Sequence, residues 1–188
     1  MERPLGNQPV LAQEVAVAAE LAARRIRPYV RETPAVQALD ISRASGANVL
    51  LKLENWQYTG SFKVRGAMNK LLLLTAEQRA RGVVAASSGN HGAAVAFGCK
   101  ALGMQGTVFV PEHASATKLA AMRSYGIDVR LEGDDSLVSE LAARAYAEEQ
   151  GLVYISPYND LDVVAGQGTV GVELLAQAPQ IDVLFVAV

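Results

Sequence analysis

The sequence predicts an α/β fold, parallel sheets joined by crossover helices, and three observations carry that expectation. Short runs rich in Val, Ile and Leu recur along the 188 residues with helix-forming stretches between them. Two of the joins, Thr59-Gly60-Ser61 and Ser87-Ser88-Gly89, are turns of small residues set between an apolar run and a stretch of helix formers. The chain closes on Ile181-Asp182-Val183-Leu184-Phe185-Val186-Ala187-Val188, apolar enough for both faces of a buried parallel strand.

The elements follow in order. Leu11, Val15, Ala18, Ala22, Ile26 and Tyr29 recur at helical spacing and predict a first helix. Strands are expected near residues 49–53, 83–86, 107–110, 128–131, 153–155 and 183–188, each a short apolar or β-branched run. Helices are expected near 62–74, 92–102, 117–125, 137–150 and 163–176. No internal repeat, low-complexity tract or Gly/Ser linker interrupts the alternation.

Composition narrows the class. With 51% hydrophobic and 19% charged residues and a net charge of −2, the chain reads as a globular α/β protein with no nucleic-acid partner. Arg24-Arg25-Ile26-Arg27 is the one basic cluster, and it reads as a solvated helix end. Glu14 and Glu20 interrupt residues 10–23, so that stretch is no signal segment. The uncharged span 83–99 is broken by Ser, Gly and Asn and does not suit a membrane; a cytoplasmic location is the default. The single cysteine, Cys99, rules out an intramolecular disulfide, and its helical setting among small residues suits the core. His91 and His113 are the only histidines, so no metal site is expected.

Two motifs carry chemistry. In Thr59-Gly60-Ser61-Phe62-Lys63-Val64-Arg65-Gly66-Ala67 a lysine follows a Gly-Ser turn, with Ser61 placed to cap the next helix. Lys63 then lies in the first helical turn, where the helix dipole and nearby Arg65 disfavour a cation and lower its pKa. A lysine with a larger neutral fraction attacks carbonyl carbon. In Ser87-Ser88-Gly89-Asn90-His91-Gly92, a small-residue turn after Val83-Val84-Ala85-Ala86 opens a helix and presents N–H groups to an anion.

At these two motifs the chain resembles the pyridoxal-phosphate enzymes of fold type II, most closely the threonine/serine dehydratase and serine racemase group. The likeness runs from Arg31-Glu32-Thr33-Pro34 through Leu51-Lys52-Leu53-Glu54 and both motifs to Ala165-Gly166-Gln167-Gly168-Thr169. It implies that Lys63 holds the cofactor covalently, that Phe62 packs against its ring, and that Asn90 donates to its phenolic oxygen. It further implies that Ser87, Ser88, Gly89, Asn90 and His91 bind the carboxylate of a small amino-acid substrate, with Gln167 lining the same cleft. Lys63 would serve twice, as anchor and as base, in eliminating the β-hydroxyl of serine or threonine to give a 2-oxo acid and ammonia. Ser88 stands where racemases of the group carry a proton donor, which keeps racemisation open as the alternative.

The resemblance also implies a small domain over residues 82–157, a large domain from 1–81 and 158–188, and a homo-oligomer, a dimer, when the chain is complete. The family's glycine-rich phosphate loop follows the last strand, and no other run here replaces it. The chain is therefore expected to be the front portion of such an enzyme, and a catalytically silent fragment is the second hypothesis. One methyl separates serine from threonine and is worth only about 1–3 kcal/mol of discrimination, so the sequence does not choose between them.

Overall fold

The computed structural model describes residues 12–186; Leu11 of the expected first helix, and Ala187 and Val188 of the final run, lie outside them. Helix α1 (Ala12–Ile26) leads to strand β1 (Ala35–Gln37), helix α2 (Leu39–Ser45) and strand β2 (Leu50–Lys52). A 3-10 turn over Glu54–Trp56 precedes helices α3 (Lys63–Leu73) and α4 (Ala76–Arg81). The rest alternates: β3 (Val83–Ala86), α5 (Asn90–Leu102), β4 (Gly106–Val110), α6 (Ala116–Arg123), β5 (Asp128–Leu131), α7 (Ser136–Gln150), β6 (Val153–Tyr154) and α8 (Leu161–Gln177).

The α/β expectation holds. Four strands form one parallel sheet in the order β5-β4-β3-β6, with Val83 opposite both Gly106 and Val153. Successive strand residues face opposite sides of a sheet, and the core divides accordingly. Val83, Ala85, Val108 and Val110 join Val64, Ala67, Leu71, Val95 and Met122 in one cluster. Val84 and Phe109 point the other way, onto Ala143 and Ala147 of α7. Asp135 caps α7 by accepting from Val138 N at 2.9 Å. Asp160 caps α8 by accepting from Asp162 N at 2.8 Å.

Outside that sheet the sequence expectations need two corrections. The strand expected at 49–53 is β2, and it pairs antiparallel with β1 in a separate two-stranded sheet, Val36 opposite Leu51. The turn after β1 reverses the chain through α2, so a hairpin forms where a parallel crossover was expected. The run expected as a strand at 183–188 makes none over 183–186, and these residues join neither sheet. Its side chains stand in solvent instead, Phe185 at 93% exposure with Val183, Leu184 and Val186 also exposed.

Each such side chain left in water forgoes roughly 1.5–3 kcal/mol of burial, and a contiguous apolar segment invites association. The chain is expected to self-associate in dilute buffer, and Phe185→Asp to shift the population toward monomer. Light scattering showing a monodisperse wild-type monomer would sink this.

Helices α3 and α8 pack directly on each other, and α1 packs on both. The crossing of α3 and α8 is made by glycines. A Cβ on Gly166 would sit 2.6 Å from Arg65 O and 2.6 Å from the Gly66 Cα, so only hydrogen fits between the two backbones. This close approach seats the first turns of α3 on α8.

Candidate active site

Lys63 lies in the first turn of α3, as expected, and is its first residue, but the local reason differs. Ser61 caps nothing: the residue before the helix is Phe62, in helical conformation and without a side-chain cap. Ser61 Oγ and Thr59 Oγ1 are buried without a hydrogen-bond partner. The Lys63 amine donates to Pro157 O at 3.2 Å and lies 5.2 Å from the centroid of the half-buried Phe62 ring.

Burial pulls the pKa of Lys63 below the ordinary lysine value. Arg65 is not the cause, contrary to the sequence expectation. Its guanidinium is neutralised at 2.7 Å by Glu54 and at 2.7 Å by Glu173.

The second motif opens α5. Ser87 N continues the β3 ladder by donating to Phe109 O at 3.1 Å, and Ser87 Oγ accepts from Gly89 N at 3.2 Å. A Cβ on Gly92 would stand 2.2 Å from Ser87 O, so glycine lets the first turn of α5 close onto this loop. Asn90 is exposed and Ser88 half-buried, and neither side chain makes a hydrogen bond among the described residues.

His91 turns its ring into the core. Its ring is buried at 3% exposure and Nε2 lies 2.9 Å from Ile155 O. A carbonyl only accepts, so Nε2 carries the proton and buried Nδ1, which has no partner, is the bare nitrogen. Burial pushes the His91 pKa down to about 4, with the Lys63 charge adding to the effect and the Ile155 bond opposing it. The imidazole is thus a neutral core group, and what His91 can offer an anion is its backbone N–H in the first turn of α5. Gln167 is committed through its oxygen alone: Oε1 accepts from Gly66 N at 3.1 Å, tying α8 to α3, while its buried Nε2 has no partner among the described residues.

Sequence reasoning missed the segment that joins the two motifs. After β6, Ile155 O receives His91 and Pro157 O receives Lys63, so residues 155–157 hold both at once. Carbonyl acceptors carry no side-chain signature, and nothing in the sequence points to them.

The model for the family described as pyridoxal-phosphate dependent enzyme matches residues 26–188. The chain belongs to that family. Among curated proteins it is 42% identical over 170 residues to the catabolic L-threonine dehydratase of Staphylococcus aureus, covering 90% of this chain and 49% of that one. Among solved structures it resembles maize serine racemase, with a TM-score of 0.85, 38% identity, and coverage of 89% of this chain and 51% of that one. The processed form of threonine deaminase isoform 2 from Solanum lycopersicum gives a TM-score of 0.83 at 32% identity, covering 94% of this chain and 48% of that one. The chain spans about half the length of the relatives it matches.

The family's cofactor is pyridoxal phosphate, and the donor set here fits its aldehyde and ring. Lys63 offers an amine of lowered basicity, Phe62 an aromatic face beside it, and Asn90 and Ser88 uncommitted polar side chains. No helix of the described residues is long and apolar enough to cross a membrane, and no group of three or more His, Cys, Asp or Glu among them could hold a metal.

Proposed function

We propose that the chain carries the lysine and the substrate-carboxylate loop of a dehydratase acting on L-threonine or L-serine. The carrying observation is Lys63 at the head of α3, half-buried, with its amine hydrogen-bonded, among the described residues, to the Pro157 carbonyl alone and its pKa lowered by burial.

In this reading Lys63 anchors the cofactor, Phe62 packs on its ring and the Asn90 amide donates to its phenolic oxygen. Bound there, pyridoxal phosphate supplies an electron sink for charge developing at the substrate Cα. The hydroxyls of Ser87 and Ser88 and the first N–H groups of α5, at Asn90 and His91, hold the substrate carboxylate at a helix N-terminus. The Lys63 amine would take the α-proton of the substrate; loss of the β-hydroxyl as water, then uptake of one water with release of ammonia, would give a 2-oxo acid. Residues 82–157 form the small domain, in keeping with a parallel sheet whose strands all fall within 83–154. Cytoplasmic location and a dimeric complete enzyme belong to the same proposal.

Racemisation is the second reading, favoured by the uncommitted Ser88 hydroxyl and the likeness to maize serine racemase. The test is an absorbance spectrum with pyridoxal phosphate, then borohydride reduction and peptide mapping. Label is expected on Lys63, with the absorbance band absent in Lys63→Ala. Deamination assays on both amino acids and chiral analysis of recovered serine then separate the two activities. Equal labelling of wild type and Lys63→Ala would reject the site and leave a catalytically silent chain.

A further inference from the structure

We infer that Arg65 is the positioning residue for Lys63: its buried guanidinium sets the rotation of α3 about its axis, and thereby where the lysine amine points. The inference rests on the reading of Lys63 as the reactive amine.

The start of α3 has no cap in front of it, so whatever fixes this turn must hold it from behind. Two attachments do so. Gly66 N donates to Gln167 Oε1, and the guanidinium, 1% exposed, engages four residues outside its helix. Its Nε donates to Glu54 Oε2 at 2.8 Å, and one terminal nitrogen to Glu173 Oε1 at 2.7 Å and Thr169 Oγ1 at 3.2 Å. The other donates to Glu54 Oε1 at 2.7 Å, Glu173 Oε2 at 2.9 Å and Arg31 O at 3.3 Å. A planar fork bound to two carboxylates leaves the side chain no rotational freedom.

Lys63 and Arg65 are two residues apart, about 200° around the helix, so they face opposite sides. Clamping Arg65 on the α8 side therefore orients Lys63 on the Pro157 side. Lys63 cannot orient itself, since its four-carbon stem is flexible and its one bond, at 3.2 Å, is long. With the amine roughly 8 Å from the helix axis, a rotation of about 10° moves it by roughly 1.4 Å. Displacement of about 1 Å can cost a reacting group about 100-fold in rate.

The experiment uses the full chain with Arg65→Lys, Glu54→Gln and Thr169→Val, in decreasing severity. Two readouts are taken beside thermal unfolding: the rate of Lys63 capture by pyridoxal phosphate with borohydride, and the titration midpoint of the Lys63 resonance after reductive 13C-methylation. Arg65→Lys is expected to slow capture at least about tenfold and to move the midpoint up toward the ordinary lysine value of about 10.4. Glu54→Gln should do the same to a smaller extent.

Folded variants whose Lys63 is captured and titrates as in wild type would overturn the inference, because a merely structural Arg65 lowers the melting temperature and moves neither readout. If the two stronger variants fail to fold, Thr169→Val decides on the same criteria. A midpoint that moves with Arg65 in a chain whose Lys63 is never selectively captured would sustain the positioning role while sinking the cofactor assignment.

Discussion

Arg65→Met is expected to lower the free energy of unfolding by about 3–5 kcal/mol, the usual loss when one partner of a buried ion pair is removed. The substitution roughly keeps the volume and deletes the four hydrogen bonds that Arg65 gives Glu54 and Glu173. Burial alone would raise the Glu54 pKa; the bonds from Arg65 and Thr33 outweigh it and leave the carboxyl below its ordinary value. Without Arg65, Glu173 keeps Lys52 at 2.5 Å, whereas Glu54 keeps only the Thr33 hydroxyl and a more distant Lys52 charge. Against a net stability of about 5–15 kcal/mol the loss is large, and the melting temperature should fall by about 10 °C. Adding Glu54→Gln to Arg65→Met should recover part of it, since an uncharged pair tolerates burial better. Urea unfolding settles the point: a loss below about 1 kcal/mol would mean that the guanidinium contributes nothing net.

Acid should weaken the fold through His91. The ring has an ordinary pKa of 6.5 and a folded value of about 4, lowered chiefly by burial. Above pH 6.5 the imidazole is neutral whether the chain is folded or not, and its contribution is fully present. As the pH falls toward 4 the unfolded chain takes up a proton that the folded chain refuses, and stability declines by about 3 kcal/mol over that window. His91→Gln keeps an N–H donor for Ile155 O and cannot titrate, so its unfolding free energy should be flatter by about one proton's worth between pH 6.5 and 4. Identical slopes for the two proteins would show that the ring is charged inside the fold.

Much of this architecture is legible in the sequence, because the strands of the parallel sheet are short apolar or β-branched runs set between longer helix-forming stretches. The expected strands at 83–86 and 128–131 match β3 and β5, and α3, α5, α6, α7 and α8 lie within two residues of the helices expected. Short elements that are not continuous apolar runs escape: β1 has three residues, α2 seven and α4 six. Even so, α4 announces itself through Thr75 and Gln78, which form a reciprocal capping box.

At the site, the position of Lys63 at a helix head could be read from the Gly-Ser turn, but the reason for its lowered pKa could not. Arg65 looks like a neighbouring charge in sequence and is a neutralised strut in space, because its partners Glu54 and Glu173 lie 11 and 108 residues away. The place of the His91 ring is equally illegible, since only the fold reveals the Ile155 carbonyl that claims it.

Cys99 lies on α5 in the main apolar cluster, and a Cβ on Gly106 would come within 2.9 Å of its sulfur. Burial pushes its thiol up to about 12, so at neutral pH it is neither ionised nor reachable by a reagent. It is also the chain's only cysteine. Alkylation can proceed only when the packing of α5 against β4 opens, which makes this sulfur a kinetic clock for unfolding carried by the protein itself. Its labelling rate ranks the Arg65 and His91 variants by how often their cores open, without dye, tag or denaturant.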